Sequence, residues 1–270
     1  MVLNMGEVIS RRAARNKLKT DVALMKMKFA ACWQAAKDIC FPPVCLVCNT
    51  GLGEVPGRRQ ISLCADCLAQ VVVLHEPLCR WCGITFPGAA GSNHLCGYCL
   101  QHGWHFTGAR SVIQYQGVLA GTIQSFKYGD NRSALPTFAA LKESLPHLRD
   151  MMLPDLLLPV PLHRKRLRQR GFNQALLLTK AFFPDQHAKI NSTALIRTRW
   201  TEAQTGLSGA ARRKNIKGAF MAASDKVAGQ KILLIDDVFT TGTTVNECAR
   251  VLCKAGAKEV RVLTLARAVL

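Results

Sequence analysis

Ile232-Leu233-Leu234-Ile235-Asp236-Asp237-Val238-Phe239-Thr240-Thr241-Gly242-Thr243-Thr244 is the stretch on which the fold turns. Its apolar start reads as a buried strand over 231–235, and two carboxylates stand where that strand emerges. A loop of hydroxyls and one glycine then leads into a helix expected over 243–255 and closed by Gly256. Backbone N–H groups and the positive end of a helix suit a phosphate, threonine hydroxyls add donors, and Gly242 lets the backbone come close. Carboxylates beside a phosphate need hydroxyls to donate to them, and a phosphorylated sugar satisfies both halves. A capped turn would account for Thr240 to Thr244 alone, but not for the acid pair before it.

Outward from this string, short apolar strands and helices alternate. Strands are expected over 109–115, 155–160, 193–197 and 259–266, and further helices over 118–128, 135–148 and 171–183. Such alternation builds a sheet covered by helices, so 107–270 is expected to be an α/β domain large enough for its own core. Pro159-Val160-Pro161 delivers the chain into a basic run, with five cations in the seven residues from Arg164 to Arg170, followed by Gly171, Phe172, Asn173 and Gln174. A second basic segment, 197–217, contains Gly and Ser, carries Gln204, Arg212 and Asn215, and is expected to be mobile.

Ten of the twelve cysteines lie between Cys32 and Cys99, which marks 41–106 as a separate unit, rich in Gly and Pro and short of apolar periodicity. Eight of them form four C-x2-C knuckles: Cys45 with Cys48, Cys64 with Cys67, Cys79 with Cys82, and Cys96 with Cys99. Two such knuckles complete a tetrahedral thiolate shell for zinc, and the intervening gaps of 15 and 13 residues are close to zinc-ribbon spacing. Two structural zinc ions are therefore expected. Sequential and cross-braced pairing of the knuckles both satisfy the count, and the repeated knuckle-loop-knuckle plan favours sequential pairing. The other cysteines include Cys248 and Cys253 of the helix over 243–255, read as buried thiols.

The segment 1–40 is a basic extension, with Leu18, Val22, Met25, Phe29, Cys32 and Trp33 at helical spacing. Across 270 residues, 36 Lys and Arg outnumber 17 Asp and Glu, a formal charge of +19 that calls for a polyanionic partner. No apolar run reaches the ~18 residues of a membrane span. Asp21 and Lys26 interrupt anything resembling a signal-peptide core, so a cytoplasmic protein with reduced thiols is expected.

The string 232–244 resembles the phosphoribosyl pyrophosphate motif of type I phosphoribosyltransferases. The resemblance implies that Asp236 and Asp237 hold the ribose hydroxyls and act in catalysis, and that Thr240, Thr241, Gly242, Thr243 and Thr244 hold the 5′-phosphate. It also implies Mg²⁺ with the pyrophosphate, the basic run (Arg164, Lys165, Arg170, Asn173, Gln174) as the pyrophosphate loop, and 197–217 as the active-site flap. Thr240 stands where hypoxanthine-type salvage enzymes place an aspartate, which disfavours that subclass. With the four knuckles, Phe41-Pro42, Phe126-Lys127-Tyr128, Pro159-Val160-Pro161-Leu162, Arg170-Gly171-Phe172-Asn173-Gln174, Gln204, Arg212 with Asn215, and Gly218-Ala219-Phe220, the span from about 40 to 270 resembles the ComF/GntX family. That family joins a double zinc ribbon to a phosphoribosyltransferase-like domain. Ala211 departs from the acidic residue expected before Arg212, and nothing in the resemblance reaches the extension before Lys37.

Two classes of function follow. One is a pentosyltransferase that moves phosphoribose to an unidentified acceptor. The other is a DNA-binding accessory or regulatory protein that keeps the donor site as a sensor. The family resemblance places either in the handling of imported DNA, in transformation or in DNA utilisation, alongside protein partners of the uptake machinery. Charge favours contact with single-stranded DNA through the ribbons and the basic faces at 164–170 and 212–217, with Trp81, Tyr98 and Trp104 as candidates either for stacking on bases or for packing inside the ribbons.

Overall fold

The computed structural model describes residues 25, 29, 33, 40, 42–53, 60–86, 88, 91–128, 131–149, 153–201 and 209–268. Of the expected N-terminal helix, Met25, Phe29, Trp33 and Cys40 are described, as helical and exposed; the rest lies outside the described residues. No helix among the described residues is long and apolar enough to cross a membrane.

Four parallel strands form the central sheet in the order β1-β6-β5-β2: β1 (Gly108–Gln114), β2 (Leu156–Pro159), β5 (Lys231–Phe239) and β6 (Glu259–Arg267). Strands buried on both faces carry continuous apolar runs, and β5 alternates its side chains between two cores. Ile232 and Leu234 enter one core, Leu233 and Ile235 the other. The second of these is closed by α3 (Val118–Tyr128), α4 (Leu135–Glu143), α5 (Pro146–Arg149) and α7 (Gln174–Phe182), through Ile123, Phe126, Phe138, Leu148, Leu178 and Phe182. The first is closed by α10 (Thr243–Lys254), by the antiparallel hairpin β3 (Leu195–Arg197) with β4 (Phe220–Ala222), by α8 (Gly209–Ile216) and by α9 (Ser224–Val227).

The cysteine-rich segment is shared between the two faces. Cys45, Leu63 and Cys67 join the α3/α4 core, and Cys79, Cys82, Cys99 and Phe106 join the α10 core. Two short helices, α1 (Ala65–Ala69) and α2 (Gly97–Gln101), begin directly after Cys64 and Cys96. Between the ribbons, Val73 bridges Ile113 antiparallel, so this linker covers the otherwise open edge of β1.

Four expectations are corrected. The helix over 135–148 is two helices, because Pro146 has no N–H for the ladder and starts α5 afresh. The basic run is not a loop: it is helix α6 (Arg164–Arg170), capped by His163 and ended by Gly171 in the left-handed region at φ 78°. The helix over 171–183 therefore starts later, at Gln174, with the Asn173 side chain accepting from the amides of Ala175 and Leu176. Finally, β5 does not stop at Ile235 but continues to Phe239, because β6 keeps pairing with it, Asp236 opposite Thr264 and Phe239 opposite Arg267. Strand β4 and helix α9, of three and four residues, are too short for periodicity to reveal.

Candidate functional site

Strand β2 leaves β5 at Pro159, opposite Ile235, while β6 accompanies it to the end. The acid pair thus occupies the carboxyl end of a central strand that has lost one neighbour. Ligands of open α/β sheets bind outside the carboxyl ends of the strands. Adjacent strand residues project to opposite faces, and the two carboxylates accordingly meet different surroundings. Asp237 turns to α3, where its Oδ2 lies 3.3 Å from Lys127 Nζ, and its Oδ1 accepts from the Val238 amide at 2.6 Å. Asp236 accepts from the Asp237 amide at 2.9 Å and sits near Cys248 of α10 and Arg197 of β3. Burial, and next the charge of Asp237, push its pKa up to about 7 against the pull of that amide, Lys127 and Arg197.

The loop after β5 turns at Gly242, whose φ of 73° is left-handed. A Cβ there would lie 2.5 Å from Phe239 Cζ and 2.9 Å from the Trp104 ring, so glycine is required by conformation and by space alike. Gly242 is also the N-cap of α10 and gives it no side-chain cap. Thr241 and Thr243 hydroxyls pair at 2.8 Å, and Thr240, Thr241, Thr243 and Thr244 are all half-buried. Four hydroxyls around a helix N-terminus make a donor-rich cradle for an anion.

Cations surround this end of the sheet. Helix α6 carries Arg164 and Lys165 exposed and Arg170 half-buried, with the Arg170 guanidinium 4.6 Å over the Tyr128 ring. Asn173 and Gln174 are engaged inside the protein: Asn173 donates to Val160 O at 3.1 Å besides capping α7, and the buried Gln174 donates to Lys127 O at 2.8 Å. They hold β2 and Lys127 in position. Gln204 lies outside the described residues. Arg212 and Asn215 are on α8; the Asn215 carbonyl accepts from Arg199, and the Arg212 side chain is outside what is described. Sequence reasoning did not count Lys127, Arg166 or Arg197 among the site residues. Burial first, and then Arg166, lower the Arg197 pKa, and its Nε is buried with no hydrogen-bond partner among the described residues. A half-buried guanidinium with an unused buried donor beside an acid is suited to an anionic group. The sequence signals for these residues are Phe126-Lys127-Tyr128, the basic run that contains Arg166 and the basic segment that begins at Arg197; the approach of Arg197 to Asp236 is made by the hairpin.

The structure groups the knuckles sequentially: Cys45, Cys48, Cys64 and Cys67 converge, as do Cys79, Cys82, Cys96 and Cys99, with ligand atoms within 4.8 Å of one another. Cys48 and Cys64 sulfurs stand 3.7 Å apart, as do those of Cys82 and Cys96. Zn–S bonds of about 2.3 Å at tetrahedral angles place sulfurs roughly 3.8 Å apart, so both quartets fit structural zinc with no ligand position left over. Burial opposes ionisation of Cys45 and Cys79, but backbone N–H donors outweigh it and bring them to about 6 and about 7. Burial pushes Cys67 up to about 12 and Cys82 up to about 11. Of the remaining thiols, Cys248 is buried as expected, whereas Cys253 is exposed.

A family description of the double zinc ribbon domain matches residues 36–100, and one of the phosphoribosyl transferase domain matches residues 182–268. The chain is 34% identical over 233 residues to the DNA utilization protein YhgH of Escherichia coli O157:H7, covering 84% of this chain and 97% of that one. It is 33% identical over 214 residues to competence protein F of Haemophilus influenzae, covering 77% and 91%. Competence protein ComFC of Bacillus subtilis is 25% identical over 244 residues, covering 83% and 95%. Two sulfur quartets on a sheet whose central strand ends in an acid pair and a glycine-turned hydroxyl loop, together with relatives of this kind matched over most of both chains, place the chain in the ComF family of competence and DNA-utilisation proteins.

Proposed function

We propose that this protein binds phosphoribosyl pyrophosphate or ribose 5-phosphate at the carboxyl end of β5 and acts in the utilisation of imported DNA, as the names of its relatives suggest. The observation that carries the reading is the junction itself: Asp236 and Asp237 at the end of β5, Gly242 in its left-handed turn, and the N-terminus of α10 behind it. The threonine hydroxyls and the start of α10 receive the 5′-phosphate, and the acid pair accepts hydrogen bonds from the ribose hydroxyls. Lys127 holds Asp237 in place through their contact at 3.3 Å. Arg197 and the cations of α6 are the protein groups available to a pyrophosphate, and Mg²⁺ with it supplies charge neutralisation of the leaving group.

In a transfer reaction, the carbon that loses pyrophosphate gains positive character, and carboxylates at the ribose stabilise it electrostatically. Calorimetry with ribose 5-phosphate, and with phosphoribosyl pyrophosphate plus Mg²⁺, tests the donor site. Replacing both acids, Asp236→Asn with Asp237→Asn, is expected to weaken binding at least tenfold, about 1.4 kcal/mol. Unchanged affinity would overturn the assignment.

A second reading, a DNA-binding accessory role, is favoured by the face of α6. Trp200 and Tyr128 are exposed rings ringed by cations, with Lys165 Nζ 5.1 Å and the Arg166 guanidinium 5.5 Å from the Trp200 ring. The ribbon rings are less available for stacking: Trp81 and Trp104 pack against the α10 core, and Tyr98 stacks on His102 at 4.3 Å.

A further inference from the structure

The second sulfur quartet and the phosphate loop are in mechanical contact. Trp104 lies between them: its indole N–H donates to Cys99 Sγ at 3.1 Å, and its six-membered ring edge is the wall that a Cβ on Gly242 would strike. The same ring packs on Phe106 at 5.0 Å and edge-on to Phe239 at 6.1 Å, the residue from which the loop departs. A second tie also reaches Phe239. Arg267, buried at the end of β6, donates to Cys82 O at 2.5 Å and to Cys82 Sγ at 3.4 Å, and its guanidinium sits 4.5 Å over the Phe239 ring. The helix behind the loop is fastened as well. Asn246 of α10 accepts from the His105 amide at 2.8 Å, immediately after Trp104, and Cys253 Sγ donates to His105 O at 3.3 Å. Among the described residues the first quartet has no such relation to the loop; Cys45 and Cys67 belong to the core on the opposite face of the sheet.

We infer that Trp104 is a positioning residue that transmits the state of the second sulfur quartet to the phosphate loop, so that metal held by Cys79, Cys82, Cys96 and Cys99 sets the geometry of 240–244. A thiolate fixed in a closed tetrahedral shell is a fixed acceptor for the indole N–H. The indole so anchored is a rigid wall, and a turn at φ 73° packed against it has one conformation. When the quartet opens, Cys99 and Cys82 move, both ties slacken, and the wall moves with them. The two ribbons, alike in sequence plan, therefore play different roles, the second supporting the ligand loop and the first supporting the α3/α4 core. The ligand consequence of this inference rests on reading 240–244 as a phosphate site, whereas the mechanical coupling does not.

The test is amide hydrogen exchange of peptides covering 239–247 in the full-length protein, with zinc content measured alongside. Trp104→Phe removes the N–H donor to Cys99 together with the outer ring edge that meets Gly242, and so breaks the tie at both ends, while Cys96→Ser opens the quartet and leaves the indole in place. Exchange of the loop amides is expected to rise at least tenfold in Trp104→Phe at two zinc per chain, and likewise in Cys96→Ser, but not in Cys48→Ser. Loop exchange unchanged in fully zinc-loaded Trp104→Phe overturns the inference, and so does an equal rise in Cys48→Ser, which would mark general loosening. If Cys96→Ser does not fold, the Trp104→Phe comparison decides alone. Linkage adds a ligand arm: saturating ribose 5-phosphate is expected to slow chelator removal of one zinc of the two in the wild type, and to lose that effect in Trp104→Phe. If the loop loosens as expected while ribose 5-phosphate fails to bind the wild type, the coupling stands and the phosphate assignment falls. If ribose 5-phosphate binds and neither exchange nor zinc release responds, the coupling falls and the phosphate assignment stands.

Discussion

Asp236 stores electrostatic strain that a single amide substitution releases. Its pKa rises from an ordinary 3.8 to about 7, chiefly because the carboxylate is desolvated and next because of repulsion from the neighbouring Asp237. The unfolded chain gives up this proton near pH 4, the folded chain near pH 7. Between those values the native state holds more protons than the unfolded state, so this group makes stability fall as pH rises. The loss is complete above the folded pKa and absent below the unfolded one. About three pKa units at 1.36 kcal/mol each set an upper bound of roughly 4 kcal/mol. Asp236→Asn retains an oxygen to accept from the Asp237 amide and carries no charge. Relative to the wild type, the variant is therefore expected to have equal stability near pH 3.5, and to gain progressively to roughly 2–4 kcal/mol at pH 8. Urea unfolding across this range, followed by tryptophan fluorescence, measures it. A constant offset at all pH values, or a variant less stable at pH 8, would refute the reasoning. The same substitution should weaken ribose 5-phosphate binding, so that stability and ligand affinity move in opposite directions, as expected where a site keeps a costly charge for its ligand.

Gly242→Ala forces a Cβ to 2.5 Å from Phe239 Cζ at a φ of 73°, and is expected to cost about 2–4 kcal/mol in thermal or urea unfolding, with loss of phosphate binding. Single-stranded DNA affinity is expected to fall steeply between about 50 and 200 mM salt. Trp200→Ala with Tyr128→Ala should weaken binding with little change in salt slope, whereas Arg164→Ala with Lys165→Ala should flatten the slope; fluorescence anisotropy reads both, and no complex at about 50 mM salt would remove the DNA reading. Freshly reduced protein is expected to contain two zinc ions. Because Cys45 and Cys67 complete one core and Cys79, Cys82 and Cys99 the other, chelation should lower the melting temperature of the whole chain in one transition; a sheet melting unchanged would show that the ribbons are energetically separate.

Much of this site was legible because its chemistry is local. Asp236 to Thr244 are contiguous, so a buried strand, an acid pair, a glycine turn and a helix start appear in one line of sequence. A C-x2-C knuckle is likewise four residues long, and two knuckles per zinc follow from coordination number. What sequence reading misplaced are boundaries set by partners. Strand β5 runs on to Phe239 because β6, pairing Thr264 and Arg267 against it, satisfies its backbone. The run 164–170, by contrast, is helical for a local reason: its many Arg and Lys are good helix formers, and His163 and Gly171 cap it at both ends.

The α/β alternation, the acid-and-hydroxyl junction and the four C-x2-C knuckles were thus readable from the chain alone, since each is a property of residues close together in sequence. Only the tertiary structure decided which knuckles meet, and that Lys127 of α3 neutralises Asp237 while Arg197 approaches Asp236 from a hairpin. It alone placed Trp104 between Cys99 and Gly242. These contacts join residues far apart in sequence, and their formation depends on how helices and ribbons settle on the two faces of one sheet, a choice that no local pattern encodes.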